Sequence, residues 1–232
     1  MSAWKLCLCA IVLLFLVAAA NATMIDSFGS GKQSLSVDPD SQFASGQVAT
    51  SAAIGGYRDI SLQWKSGDLD FANVTPSGGK LTFTQSTSES IATVTWDGEN
   101  SPDVRSYLLG ANLTSGGKDG FSIPLFAVTG SSIDLSLTVY TDAGHASLLT
   151  MTLPAGGPRT LSLRYTDFRG IGGVTADFTN VGAIVLGLSG VGHLGSDVTI
   201  GSIQTVTTPE PSTLALLAIG AAALIALRRR RT

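Results

Sequence analysis

Cysteine is almost absent from this chain of 232 residues: there are two, Cys7 and Cys9, both close to the N-terminus. If that first segment is removed on export, no thiol remains. Disulfides, thiolate nucleophiles and cysteine metal sites are then excluded, and stability has to come from packing. Charge is also scarce, at 13% Asp, Glu, Lys and Arg against roughly a quarter in an average soluble domain, which excludes a charged helical or disordered protein. Histidine occurs twice, at His145 and His193, with no second histidine at ligand spacing. Long apolar runs are confined to the two ends, so the middle is less hydrophobic than the whole-chain average.

The first apolar run predicts a secretory signal peptide over residues 1–22. Lys5 is its lone charge, Leu6 to Ala20 carry none, and Ala20-Asn21-Ala22 places small residues where a signal peptidase reads them. Ala20 and Ala22 are therefore the cleavage residues, with the cut after Ala22. A membrane anchor fits less well, because the run is short for a bilayer core of about 30 Å. A lipoprotein would need a cysteine at the far end of the run, and neither cysteine is there.

At the other end Thr208-Pro209-Glu210-Pro211-Ser212-Thr213 leads into the apolar and small residues Leu214 to Leu227, followed by Arg228, Arg229, Arg230 and Arg231. A transmembrane helix is predicted over 213–227, with the arginines held on the cytoplasmic side. The fourteen residues from Leu214 to Leu227 at 1.5 Å each span only about 21 Å, which suits a transient sorting device better than a permanent anchor. Proline at 209 and 211 keeps that stretch extended, as a processing enzyme requires.

These residues resemble the PEP-CTERM family of exported bacterial proteins, in which a Pro-Glu-Pro motif, a short transmembrane helix and an arginine cluster form a C-terminal sorting tail. The resemblance covers residues 208 to 231. It implies a Gram-negative source and recognition of Pro209, Glu210 and Pro211 by an exosortase. It also implies transient insertion in the inner membrane, loss of the helix, and delivery to the envelope or an extracellular polymer.

Between the two ends, residues 23–207 hold nine basic and sixteen acidic residues, a net charge near −7. That balance keeps a domain soluble and repels phosphate backbones, so nucleic acid is not an expected partner. Period-two alternation dominates, as in Ile133, Leu135, Leu137 and Val139 against Asp134, Ser136, Thr138 and Tyr140. Similar runs begin at Ile60, Leu81, Phe121 and Leu161. Glycine turns separate them, among them Gly55-Gly56, Gly78-Gly79, Asp97-Gly98, Gly116-Gly117 and Gly172-Gly173. Ser132 to Tyr140 and Ala146 to Leu153 read as a hairpin about a Thr141–His145 turn.

Helical turns are expected only near Thr166–Phe168 and Asp177–Asn180. The fold class is all-β, a single sandwich of ten or more strands over residues 23–207. Asp26-Ser27-Phe28, Leu137 to Asp142 and Asp177 to Ile184 also resemble the jelly-roll domains of exported proteins and galactose-binding-like sandwiches. That resemblance implies a jelly-roll-like sandwich and a glycan as a ligand class.

Catalytic chemistry is thin. Gly190-Val191-Gly192-His193-Leu194-Gly195 spells a dinucleotide fingerprint but precedes a strand-like run instead of a helix, so it reads as a hairpin loop. Gly29-Ser30-Gly31-Lys32 lacks the first glycine of a P-loop. The acid pairs Asp68/Asp70 and Asp97/Glu99 have the chemistry for glycoside hydrolysis or for calcium, and equally that of solvated acidic loops. No cofactor and no metal site are expected.

Trp64 and Trp96 end strand-like runs where an indole can stack on a sugar, yet both share the phase of core residues. Tyr140, opposite in phase to Val139, is the better surface candidate. The expectation is thus a non-enzymatic exported protein of the cell envelope or extracellular matrix, structural or adhesive. Its expected partners are signal peptidase, exosortase and, transiently, the inner membrane. A carbohydrate-binding module for extracellular polysaccharide is the alternative, using Tyr140, Trp96 or Trp64, and a glycoside hydrolase or lyase is a third reading.

Overall fold

A computed structural model describes residues 22–67, 71–100 and 105–207. The expected signal peptide over 1–22 apart from Ala22, the acid pair Asp68/Asp70 and the expected sorting tail from Thr208 onward, with the helix predicted over 213–227, lie outside the described residues. In chain order the strands are β1 (Met24–Asp26), β2 (Leu35–Val37), β3 (Phe43–Ala49), β4 (Tyr57–Gly67), β5 (Ala72–Ser77), β6 (Lys80–Gln85), β7 (Ser88–Trp96), β8 (Gly120–Thr129), β9 (Ile133–Tyr140), β10 (Ala146–Leu153), β11 (Arg159–Arg164), β12 (Arg169–Gly170), β13 (Ala183–Ser189), β14 (Asp197–Ile200) and β15 (Ile203–Val206).

Two sheets result. In the first, β8 pairs with β11 on one side and with β14 and β15, lying in line, on the other; β6, β5 and β2 continue beyond β14, and β1 closes beyond β15. The second runs β12-β10-β9-β13-β7-β4-β3. The chain crosses repeatedly between the sheets instead of completing one first, giving a jelly-roll-like β-sandwich. Alternation drives this arrangement, because a strand with one apolar face is stable only when that face is covered. The pattern is strictly alternate along β7, and the apolar faces of both sheets merge into one core that includes Leu62, Phe83, Val94, Phe121, Leu137 and Leu186.

The hairpin of β9 and β10 forms in the expected register, Tyr140 opposite Ala146 and Ile133 opposite Leu153. A short 3-10 turn occupies Tyr165–Asp167, and Asp177–Asn180 is a single hydrogen-bonded turn. The 190–195 loop departs from expectation: it carries the chain from β13 in one sheet to β14 in the other, so it is a crossover and not a hairpin loop. Its backbone is spoken for, with the Gly192 N–H donating to the Glu89 carboxylate at 2.9 Å and the Gln85 amide donating to the His193 carbonyl at 2.8 Å. In the 29–32 loop the carbonyls of Ser30 and Gly31 turn inward to accept from Arg58, which removes it as a phosphate cradle.

A buried ion pair lies in the interior. Asp26, Arg58 and Trp96 are all fully buried. Arg58 donates through Nε and Nη2 to the Asp26 carboxylate at 2.6 and 2.7 Å, the Trp96 indole donates to it at 2.9 Å, and the Phe28 N–H at 2.7 Å. Asp26 thus ties β1 to β4 and β7. Trp96 is consequently a core residue, and the suggestion that it meets a ligand is corrected: its only polar atom is committed inside the sandwich.

Candidate functional site

Tyr140 ends β9 with its side chain on the outer face of the second sheet. Its neighbours across the ladder are Ala146 on β10 and Ala183 on β13, both small, which leaves room above them for a ring. That room is filled by Tyr107, whose ring centroid lies 5.8 Å from that of Tyr140 at an interplanar angle of 57°. Over the Tyr140 ring lies the guanidinium of Arg105, 4.1 Å from the centroid and 5.9 Å from that of Tyr107. These distances are those of cation–π contact.

The segment that brings Arg105 and Tyr107 here is held firmly. The buried carboxylate of Asp97 accepts the Ser106 N–H at 2.9 Å, its carbonyl accepts the Leu108 N–H at 2.8 Å, and the Leu109 N–H donates to the Gly182 carbonyl at 3.0 Å. Tyr107 sits at φ +57°, in the left-handed region that non-glycine residues rarely occupy. Gly182 makes this approach feasible: a Cβ there would stand 2.4 Å from the Thr141 carbonyl oxygen and 2.8 Å from that of Tyr107. Backbone strain of this kind persists only where surrounding contacts impose it, and it clusters at ligand clamps.

Acidic groups near the shelf are committed locally. Asp142 accepts from the Gly144 N–H at 2.8 Å and lies 2.8 Å from His145 Nδ1; that side-chain bond, with the backbone one, holds its carboxyl below the ordinary range. Asp177 is lowered by the Thr179 hydroxyl and N–H. Arg105 is exposed and forms no ion pair among the described residues. Exposed apolar residues flank the shelf at Leu108 and at Ile171, whose N–H donates to the Ala146 carbonyl.

The outer face continues along β9 from Tyr140 through Thr138 and Ser136 to Asp134, about 20 Å at ~3.4 Å per residue. There a shallow depression of about 490 Å³ is lined by Asp134, Ser136, Thr150, Thr152 and Ser189. Gly187 beside it is buried, and a Cβ there would stand 2.4 Å from the Ser136 hydroxyl oxygen. Trp64 is not on this face. It has the inward phase of Ile60 and Leu62, is half-buried against the core, and its buried Nε1 has no hydrogen-bond partner among the described residues.

Sequence reading singled out Tyr140 and missed Arg105. Spacing offered no signal for Arg105, because Tyr107 leaves the extended region at φ +57° and the same-side rule for alternate residues does not apply across it. Asp97 and Glu99 do not form a carboxylate pair for hydrolysis or calcium: Asp97 accepts the Glu99 N–H in its own turn. Among the described residues no three His, Cys, Asp or Glu side chains converge as metal ligands. His193 Nδ1 lies 2.9 Å from the Ser132 hydroxyl, but its Nε2 is 3.6 Å from Asp134, whose other oxygen takes the Thr152 hydroxyl. That is a clasp on the crossover loop. No helix among the described residues is long and apolar enough to cross a membrane.

No curated protein matches the chain. Among solved structures it is similar to a family 11 carbohydrate-binding module from Clostridium thermocellum in complex with a β-1,3-1,4-mixed-linked tetrasaccharide, at 14% identity and TM-score 0.41, covering 82% of this chain and 97% of that one. An agarase matches at 10% identity and TM-score 0.43, over 66% of this chain and 24% of the agarase. TmCBM61 in complex with β-1,4-galactotriose matches at 9% identity and TM-score 0.32, over 79% and 92%. At such scores these likenesses say nothing about what the chain binds. The end of the chain is decisive where they are not: residues 207–231 match the PEP-CTERM protein-sorting motif, so this chain carries the C-terminal sorting tail of an exported protein.

Proposed function

We propose that this is a non-enzymatic component of the cell envelope or extracellular matrix, sorted and processed by an exosortase and serving a structural or adhesive role. The sorting motif at 207–231 carries this reading. It follows the last strand, β15, directly, so the sandwich itself is the cargo. The test is to follow a tagged precursor in a host with and without an exosortase. Processing to a shorter form that depends on the enzyme and is lost in Glu210→Ala supports the proposal. A precursor of unchanged length in the competent host overturns it.

A second reading, carbohydrate binding, is favoured by the outward Tyr107–Tyr140 pair. Aromatic faces offer sugars a stacking surface, and the hydroxyl-lined track along β9 extends it. Residues 23–207 contain the whole described core and are the unit to test. Co-sedimentation with polysaccharide extracted from the producing cells should retain this unit and release Tyr140→Ala. No retention of the unmutated unit would leave the role purely structural.

A further inference from the structure

We propose that the shelf of Arg105, Tyr107 and Tyr140 recognises an acidic sugar, a hexuronate unit of a polysaccharide, with the Arg105 guanidinium, held over Tyr140, taking the carboxylate and the pyranose ring packing beside it against Tyr107. This rests on the carbohydrate-binding reading and names its ligand class. The guanidinium lies 4.1 Å from the Tyr140 centroid, and the planar N–H fork of an arginine matches a carboxylate in bidentate geometry. Among the described residues the carboxylates of Asp97, Asp142 and Asp177 make hydrogen bonds of their own, Asp97 with the N–H groups of Glu99 and Ser106, Asp142 within its own turn and Asp177 with Thr179, and none forms an ion pair with Arg105. Among the described residues the cation is therefore held over Tyr140 and forms no ion pair.

A merely solvated arginine would need none of this support. The segment carrying Arg105 is instead pinned through Asp97, and Tyr107 is forced to a positive φ over Gly182. The domain's net charge near −7 repels a polyanion at long range, so general attraction cannot produce binding. Any retention of an acidic polymer has to come from the local cation. That makes the ligand's charge and Arg105 the two variables to manipulate.

The experiment uses residues 23–207 with polygalacturonate, its fully methyl-esterified form and a neutral β-galactan, by affinity electrophoresis. Esterification removes the charge and keeps the ring. The expected result is tight retention by polygalacturonate and retention weaker by about tenfold or more on the ester, the scale of losing a charged hydrogen-bonded pair. Arg105→Gln should erase the difference between the two polymers, Arg105→Lys should restore part of it, and Tyr140→Ala should weaken both. Equal retention by acid and ester, or a preference that survives Arg105→Gln, overturns the acidic class while leaving carbohydrate binding in place. No retention by any of the three polymers, nor by polysaccharide extracted from the producing cells, overturns both.

Discussion

Arg58 has no route to solvent, and its charge is tolerable only because Asp26 meets it with two short bonds while the carbonyls of Ser30 and Gly31 take its remaining donors. Removing one member of such a pair leaves an uncompensated buried charge, at a cost of about 3–5 kcal/mol. Arg58→Met is therefore expected to lower the unfolding free energy of residues 23–207 by that order in urea. The double change Asp26→Leu with Arg58→Met should recover part of the loss, since neither charge is then stranded while the Trp96 indole and the Phe28 N–H lose their acceptor. Equal or greater destabilisation in the double variant would show that the pair contributes by geometry and not by mutual neutralisation. Little of this was legible in the sequence. Asp26-Ser27-Phe28 stood out, and Trp96 shared the phase of Val94, but nothing local links Asp26 to a partner 32 residues later.

At the scale of elements, alternation identified strands well because it reports a single physical fact, one face in apolar surroundings. The β9–β10 hairpin was legible for a further reason: its turn residues and both apolar phases lie in one continuous stretch. The 190–195 loop was not, since two strands joined by a glycine-rich loop look alike whether they pair with each other or belong to opposite sheets. The candidate site was half legible on the same grounds. Phase put Tyr140 outside, whereas Tyr107 and Arg105 reach it only through tertiary contacts. The turn that follows Tyr140 also sets a pH limit on the site. The Asp142 carboxyl is held below its ordinary value of 3.8, chiefly by His145. A depressed carboxyl contributes order fully above its unfolded value and loses it as pH falls through the folded one. The Thr141–His145 turn should accordingly stay intact from neutral pH down to about 4 and loosen below it. The 13C shift of the Asp142 carboxyl checks this: its midpoint should fall under 3.8, and a midpoint at or above 3.8 would remove the turn's hold on the carboxylate.

In the whole molecule the two ends of the folded unit meet. β1 lies beside β15, the Thr23 N–H donates to the Thr205 hydroxyl at 2.9 Å, and the Thr205 N–H donates to the Thr23 carbonyl at 2.8 Å. Cleavage after Ala22 would make the Thr23 nitrogen an ammonium with its acceptor already in place. The other end is just as tightly fixed, by the Asp119 N–H on the Val206 carbonyl at 3.0 Å and the Thr207 hydroxyl on the Gly117 carbonyl at 3.3 Å. Pro209 comes two residues after Thr207 in the chain, a reach of about 7 Å at full extension. A membrane-embedded enzyme that must enclose Pro209-Glu210-Pro211 would then meet the bulk of the sandwich almost at once, unless the last residues of β15 come away from Asp119 and Gly117. Six Gly-Ser residues inserted after Thr207 add about 20 Å of reach at full extension without touching the sheet. If release of β15 limits processing, the insertion should speed conversion of the tagged precursor. Thr207→Val, which removes one of the two bonds, should speed it less. An unchanged rate in the insertion variant would mean that the enzyme accepts the folded pole directly, and that the short spacing serves to seat the sandwich against it.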